Sequence, residues 1–255
     1  MSRSVRGRLR LAWVRVTLLL VGAAVAGRVA LSGVVSVTVA DRWLLVAGVV
    51  VAYEVGFLWY NLGANRPANG PPSPALGAAN HLTLVRGGLF AAVAGFLLVP
   101  PATPAVAWLP GLCYGVGVAL DAVDGATART AGRRTELGER LDLAFDTLGF
   151  LVAPLVGVAW GRLPVWYLSI SAARYLYRGG LAWRERRGRP VFDLSPSRVR
   201  RPLAALQMAF ITAALLPLLP VRVVHPAAAV VAVPSLAVFA RDYLTVTGRL
   251  HRDED

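Results

Sequence analysis

At 255 residues, 56% of them hydrophobic and with a mean hydropathy of +0.57, the chain is too apolar for a soluble domain, which would show amphipathic stripes instead. Its formal net charge of +13 comes from 27 arginines and no lysine, yet a nucleic-acid partner is disfavoured because the arginines punctuate apolar runs of membrane-spanning length, as the positive-inside rule describes. The single Cys113 excludes an internal disulfide and a cysteine-based metal site, and reads as a small buried hydrophobe.

Five arginines in residues 1–15 precede an apolar run over about 16–39. The run continues too far for a signal peptide and lacks a clear A-x-A cleavage site. It predicts a first transmembrane helix, interrupted by Arg28, which snorkels or faces the bundle interior. A second span is expected over about 43–62, with Trp43, Trp59 and Tyr60 as interfacial anchors. Residues 63–79, rich in Pro, Gly, Ala and Asn, read as a linker. The expected organisation is a two-helix membrane extension (1–62), the linker (63–79), a six-helix membrane core (80–246) and a polar tail (247–255).

The third span, about 80–99, opens with Asn80 as candidate N-cap and carries Arg86, a costly residue in lipid without a partner. The fourth, about 105–123, offers Gly111, Gly115 and Gly117 for close helix contact and ends on Asp121 and Asp124. A fifth is expected over about 137–160 and a sixth over about 164–181, where Arg174 and Arg178 at i, i+4 form one basic face. An arginine-rich loop leads to a seventh span, about 202–220, and an eighth, about 223–245. The fold class is an all-α integral membrane protein of about eight transmembrane helices.

The chemistry concentrates in residues 121–146. Asp121 and Asp124 are spaced i, i+3, and Asp142 and Asp146 i, i+4, so each pair shares a helix face. The residues between, with Gly125, Gly138 and several arginines, suggest a basic loop joining two antiparallel helices whose acids face each other. A central Asp costs roughly +2.5 to +3.5 kcal/mol in a bilayer, so four together require protons or cations. Oxygen-only ligands suit Mg²⁺ or Mn²⁺ rather than zinc, and two divalent ions balance four carboxylates. Paired metals hold phosphates during in-line displacement.

This stretch resembles the signature of the class I CDP-alcohol phosphotransferases (CDP-alcohol phosphatidyltransferases), D-x2-D-G-x2-A-R-x8-G-x3-D-x3-D. It is matched at Asp121, Asp124, Gly125, Ala128, Arg129, Gly138, Asp142 and Asp146. Residues 80–86 follow N-x-L-T-x-x-R, similar to the family's first core helix. The resemblance implies transfer of a phosphatidyl or archaetidyl group from a CDP-linked lipid to an alcohol, with release of CMP. It implies two Mg²⁺ ions (Mn²⁺ as substitute) held by Asp121, Asp124, Asp142 and Asp146, with Asp146 also the general base. It further implies a substrate site at Asn80, Thr83, Gly125, Arg129, Thr135 and Gly138, and a homodimer. The two extra N-terminal helices depart from the family's usual six-helix core.

For the acceptor, Arg174 and Arg178, with some of Arg198, Arg200 and Arg201, suggest an anion site for a phosphorylated polyol such as glycerol phosphate or inositol phosphate. The alternative is that these arginines meet lipid head groups and the acceptor is serine, choline or ethanolamine. With eight spans and a cytoplasmic N-terminus, the short external loops hold Arg42, Arg162 and Arg222, and nearly all other arginines lie on the cytoplasmic side. That places the protein in the cell membrane, multi-pass, with the acids facing the cytoplasm. An intramembrane prenyltransferase would carry two separate Asp-rich motifs. A cation transporter would place its acids at the midplane on broken helices.

Overall fold

A backbone in hydrocarbon must satisfy its hydrogen bonds internally, and apolar runs of this length do so as helices. The structure is a computed structural model that describes residues 3–67, 70–131, 135–194 and 197–249, the side chains of 123–131 lying outside the description. Eight α-helices are found among the described residues, and no strand. They are α1 (Arg3–Leu31), α2 (Val37–Asn61), α3 (Gly77–Gly95), α4 (Pro104–Ala131), α5 (Glu136–Ala159), α6 (Leu168–Arg186), α7 (Arg200–Leu215) and α8 (Val221–Val246).

Six of them, α1 to α5 and α8, are long and apolar enough to cross a membrane. The other two differ for separate reasons. α6 is interrupted by Arg174, Arg178, Arg184 and Arg186. α7 has 16 residues, about 24 Å at 1.5 Å per residue, short of a hydrocarbon layer of about 30 Å.

α3 is the hub, packed by α2, α4 and α5. Small residues make this close approach possible. Phe90 of α3 inserts its ring between Gly117 of α4 and Gly149 of α5. Its centroid lies 5.5 Å from that of Tyr114. Gly111 and Gly115 of α4 admit Leu216, the C-cap of α7, and Thr212 in its last turn, as their spacing predicted. Cys113 is free and packs partly buried against the main apolar cluster. At the opposite end of α5, Arg162 donates to the carbonyls of Ala214 (2.9 Å), Leu216 (2.8 Å) and Leu219 (2.9 Å), satisfying acceptors that α7 leaves open at its C-terminus.

Four expectations change. The first helix does not run over 16–39. It starts at Arg3 and ends at Leu31, and α2 begins at Val37 behind a Ser36 cap. Arg28, in the last turn of α1, pairs with Asp41 at 2.7 Å, so the break falls where a salt bridge joins two helices. Trp43 is not an interfacial anchor. It is buried, and its Nε1 donates to the Ala92 carbonyl at 3.1 Å. Trp59 and Tyr60 are exposed. Asn80 is not an N-cap, because Gly77, with φ of 77°, bends the chain into α3 one turn earlier. Finally, α4 does not stop near Asp124 but continues to Ala131, since glycine and polar residues are tolerated once a helix leaves the hydrocarbon.

Gly95 lets the indole of Trp43 lie on α3, where an added Cβ would fall 2.6 Å from Trp43 Cδ1. Gly95→Ala is expected to displace the indole from the Ala92 carbonyl and cost about 1–3 kcal/mol. Thermal unfolding in detergent checks this, with Gly48→Ala, at an uncrowded position of α2, as control.

Candidate active site

α5 places Asp142 and Asp146 one turn apart, and α4 brings Asp121 opposite them. Ligand oxygens of the three carboxylates lie within 4.8 Å of one another. Such crowding is unfavourable unless a cation intervenes. Arg86 of α3 supplies one from within the protein. Its side chain is 2% exposed, and Nη1 donates to Asp121 Oδ1. Nη2 donates to Asp142 Oδ1 at 2.8 Å and to Asp146 Oδ1 at 2.7 Å. The planar fork suits three converging acceptors in a way a point charge does not.

One guanidinium against three carboxylates leaves a formal surplus of two negative charges. The bonds described use only the Oδ1 atoms. The acids are a third to a half exposed, at 35%, 48% and 30%, so the cluster opens to solvent on one side. Hard oxygens, surplus negative charge and access fit a divalent cation. The side chains of Asp124 and Arg129, and the surroundings of Gly125, lie outside the description.

Beside the acids, a second polar group joins α3 to α5. Asn80 is 3% exposed and donates through Nδ2 to Thr135 Oγ1 at 3.4 Å. Thr135 caps α5, its hydroxyl accepting from the Gly138 amide at 3.1 Å. A Cβ on Gly138 would fall 2.7 Å from Asn80 Oδ1. Asn80, Thr135 and Gly138 are thus brought together. Thr83 is not joined to them among the described contacts, and its hydroxyl donates to the Ala79 carbonyl of its own helix at 3.1 Å.

The basic face of α6 docks onto α5 around Asp146. Arg178 Nη1 donates to Thr147 Oγ1 at 3.0 Å. The Arg174 guanidinium lies over the Phe150 ring, 3.6 Å from its centroid, and donates through Nη2 to Gln207 at 3.3 Å. Arg174 also lines a cavity of about 310 Å³ between α6, α7 and α8, together with Arg200, Arg201, Gln207, Ser235 and Asp242. Arg178 and Arg198 do not line it.

A family model for CDP-alcohol phosphatidyltransferase matches residues 76–238, from the threshold of α3 into α8, and takes in both halves of the acid cluster. The chain belongs to the CDP-alcohol phosphatidyltransferase family. No curated protein matches the chain in a sequence comparison. The reaction of this family is phosphatidyl transfer from a CDP-alcohol to an alcohol acceptor at a metal-dependent membrane site. The acid cluster is compatible with metal binding, and the six long apolar helices fit a multi-pass membrane protein.

Around the acid cluster, the residue that sequence reasoning left without a role is Arg86. The available signal was its burial cost in lipid, which demands an acidic partner at the same depth. Gln207, buried at 1% exposure on α7, gave no signal.

Arg86→Gln removes the counter-charge from the three acids. Thermal unfolding in EDTA is expected to show a loss of about 2–3 kcal/mol, less than the ~3–5 kcal/mol of a fully buried pair because the acids are partly solvated. Adding a divalent cation is expected to raise the melting temperature more in the variant than in the wild type. Equal melting temperatures in EDTA would show that Arg86 carries no such charge balance.

Proposed function

We propose that the protein transfers the lipid phosphate of a CDP-linked lipid to a phosphorylated polyol, such as glycerol phosphate or inositol phosphate, at the cytoplasmic face of the cell membrane. The observation that carries the choice of acceptor is the arginine-lined cavity beside Asp146. Arg174, Arg200 and Arg201 outnumber the acid lining it, Asp242. That acid is engaged, accepting from Arg200 Nε at 2.6 Å and from Arg241 Nη2 at 2.9 Å. An ammonium-bearing acceptor such as serine, ethanolamine or choline would need an unengaged carboxylate or an aromatic cage. A phosphate meets Arg174 and Arg201 instead, Arg200 being engaged with Asp242.

The cavity and the acids share a wall. Arg174 borders the cavity and rests on Phe150, one helix turn from Asp146. An acceptor whose phosphate binds among the arginines therefore directs its hydroxyl toward Asp146. In the reaction, the acceptor oxygen bonds to the phosphorus that carries the lipid. The bond from that phosphorus to the CMP oxygen breaks, and the hydroxyl proton passes to Asp146. Arg86 holds Asp146 through Oδ1, leaving Oδ2 to receive the proton. Asn80, Thr135 and Gly138 border the nucleotide, and Gly138 permits close approach because it has no side chain. Two Mg²⁺ ions, or Mn²⁺ in their place, held by Asp121, Asp124, Asp142 and Asp146, would supply charge neutralisation on the diphosphate and on the departing CMP.

Purified protein with CDP-diacylglycerol or its ether analogue, Mg²⁺ and a panel of acceptors is expected to release CMP with a phosphorylated polyol and to stop on addition of EDTA. CMP release with serine, choline or ethanolamine alone would overturn the choice of acceptor. Full activity in EDTA would overturn the metal assignment.

Two substitutions separate the roles. Asp146→Asn keeps an oxygen at the position but cannot take the proton, so turnover is expected to fall by roughly 10²-fold or more with CDP-lipid binding near normal. Arg174→Ala is expected to raise the acceptor KM by about ten-fold, with the CDP-lipid KM unchanged. Steady-state kinetics in both substrates reads both outcomes.

A further inference from the structure

The segment between α2 and α3 precedes the family match, yet its side chains are tied to the nucleotide side of the site. Asn65 is 1% exposed. Its Nδ2 donates to the carbonyls of Ser73 at 3.1 Å and Ala75 at 2.8 Å. Carbonyl oxygens only accept, so this carboxamide has one orientation, with Oδ1 turned to Asn80. Asn80 Nδ2 donates to that oxygen at 3.3 Å and to Thr135 Oγ1 at 3.4 Å. With its amide hydrogens committed, Asn80 turns its own oxygen toward Gly138.

The neighbours of Asn65 grip α5 directly. The Arg66 carbonyl accepts from the Glu136 amide at 2.9 Å, and its guanidinium meets the Glu136 carboxylate at 3.1 and 3.4 Å. Asn61 Oδ1 accepts from Arg140 Nη1 at 3.0 Å. Arg66 and Asn61 thus hold the first two turns of α5, where Thr135 and Gly138 stand and from which Asp142 follows.

We propose that Asn65 is a positioning residue for the nucleotide of the CDP-linked donor. Through Asn80 it decides whether α3 presents an oxygen or an amide toward Gly138, and with Arg66 it fixes the first turn of α5. A cytidine offers donors there, its ribose hydroxyls and cytosine amine, which an oxygen receives and an amide does not. The inference rests on the reading of Asn80, Thr135 and Gly138 as the nucleotide border. It gives the linker over 63–79 a part in donor binding.

The test is calorimetric titration of CMP in Mg²⁺ into the full chain in detergent, alongside kinetics with CDP-diacylglycerol. Asn65→Leu is expected to raise the CMP Kd and the donor KM by about ten-fold, the effect of losing one buried hydrogen bond. Turnover should stay within about two-fold and the acceptor KM should not move. Combined with Asn80→Ala, Asn65→Leu should add little, because both act through one bond. If Asn80→Ala leaves CMP binding intact, the nucleotide-border reading itself fails. If Asn80→Ala weakens CMP binding while Asn65→Leu only lowers the melting temperature, or if the two add fully, the positioning role is overturned. Should Asn65→Leu not fold, Arg66→Ala carries the test, because that side chain is half exposed. Its CMP Kd is expected to rise by about three-fold, and an unchanged Kd overturns the proposal.

Discussion

Three carboxylates converge on the guanidinium of Arg86 inside a membrane bundle, and the helices around them are arranged to make that meeting possible. Asp121 arrives on α4, Asp142 and Asp146 on α5, and Arg86 on α3, which contacts both. Separately, each charge would be expensive at this depth. Together they offset one another, and the surplus negative charge that remains suits the cluster to a cation. The burial is uneven, with the arginine enclosed and the acids open to solvent on one side. The protein therefore keeps its own cation fixed and leaves the acids accessible to another.

The packing that supports this cluster depends on absent side chains. Gly117 and Gly149 together create the slot for Phe90, one turn from Arg86 on α3. Gly87, next to Arg86, leaves room for Phe145 and for the buried carboxyl of Glu54, whose oxygens find no hydrogen-bond partner among the described residues.

Much of the fold was legible because the constraint behind it is one-dimensional. Membrane-spanning length shows as apolar runs, and i, i+3 and i, i+4 spacing places acids on one face wherever the helix sits. Misjudged features depended on partners distant in sequence. Trp43 looked interfacial because aromatic residues favour head groups, but the Ala92 carbonyl and the flat surface at Gly95 draw it inward. Arg86 carried a visible cost and no visible partner, since its three acids lie on two other helices. Of the five arginines grouped from sequence, Arg174, Arg200 and Arg201 border one cavity while Arg178 turns to Thr147, a division set by how α6, α7 and α8 pack and not by spacing along the chain. The segment over 63–79 reads as punctuation from its composition, and nothing in one sequence shows that Asn65 will meet Asn80.

The shortness of α7 has a consequence for the surrounding lipid. A helix about 6 Å shorter than the hydrocarbon layer is matched by thinning of the bilayer or by head groups and water sinking toward its ends. Arg200 and Arg201 begin α7, and both border the cavity next to Asp146. Thinning of this kind would bring the aqueous boundary down to those two arginines and to the cavity they border. For the reaction proposed above, a water-soluble acceptor would then meet a lipid-anchored donor in a hollow of the membrane surface, without itself being drawn into oil.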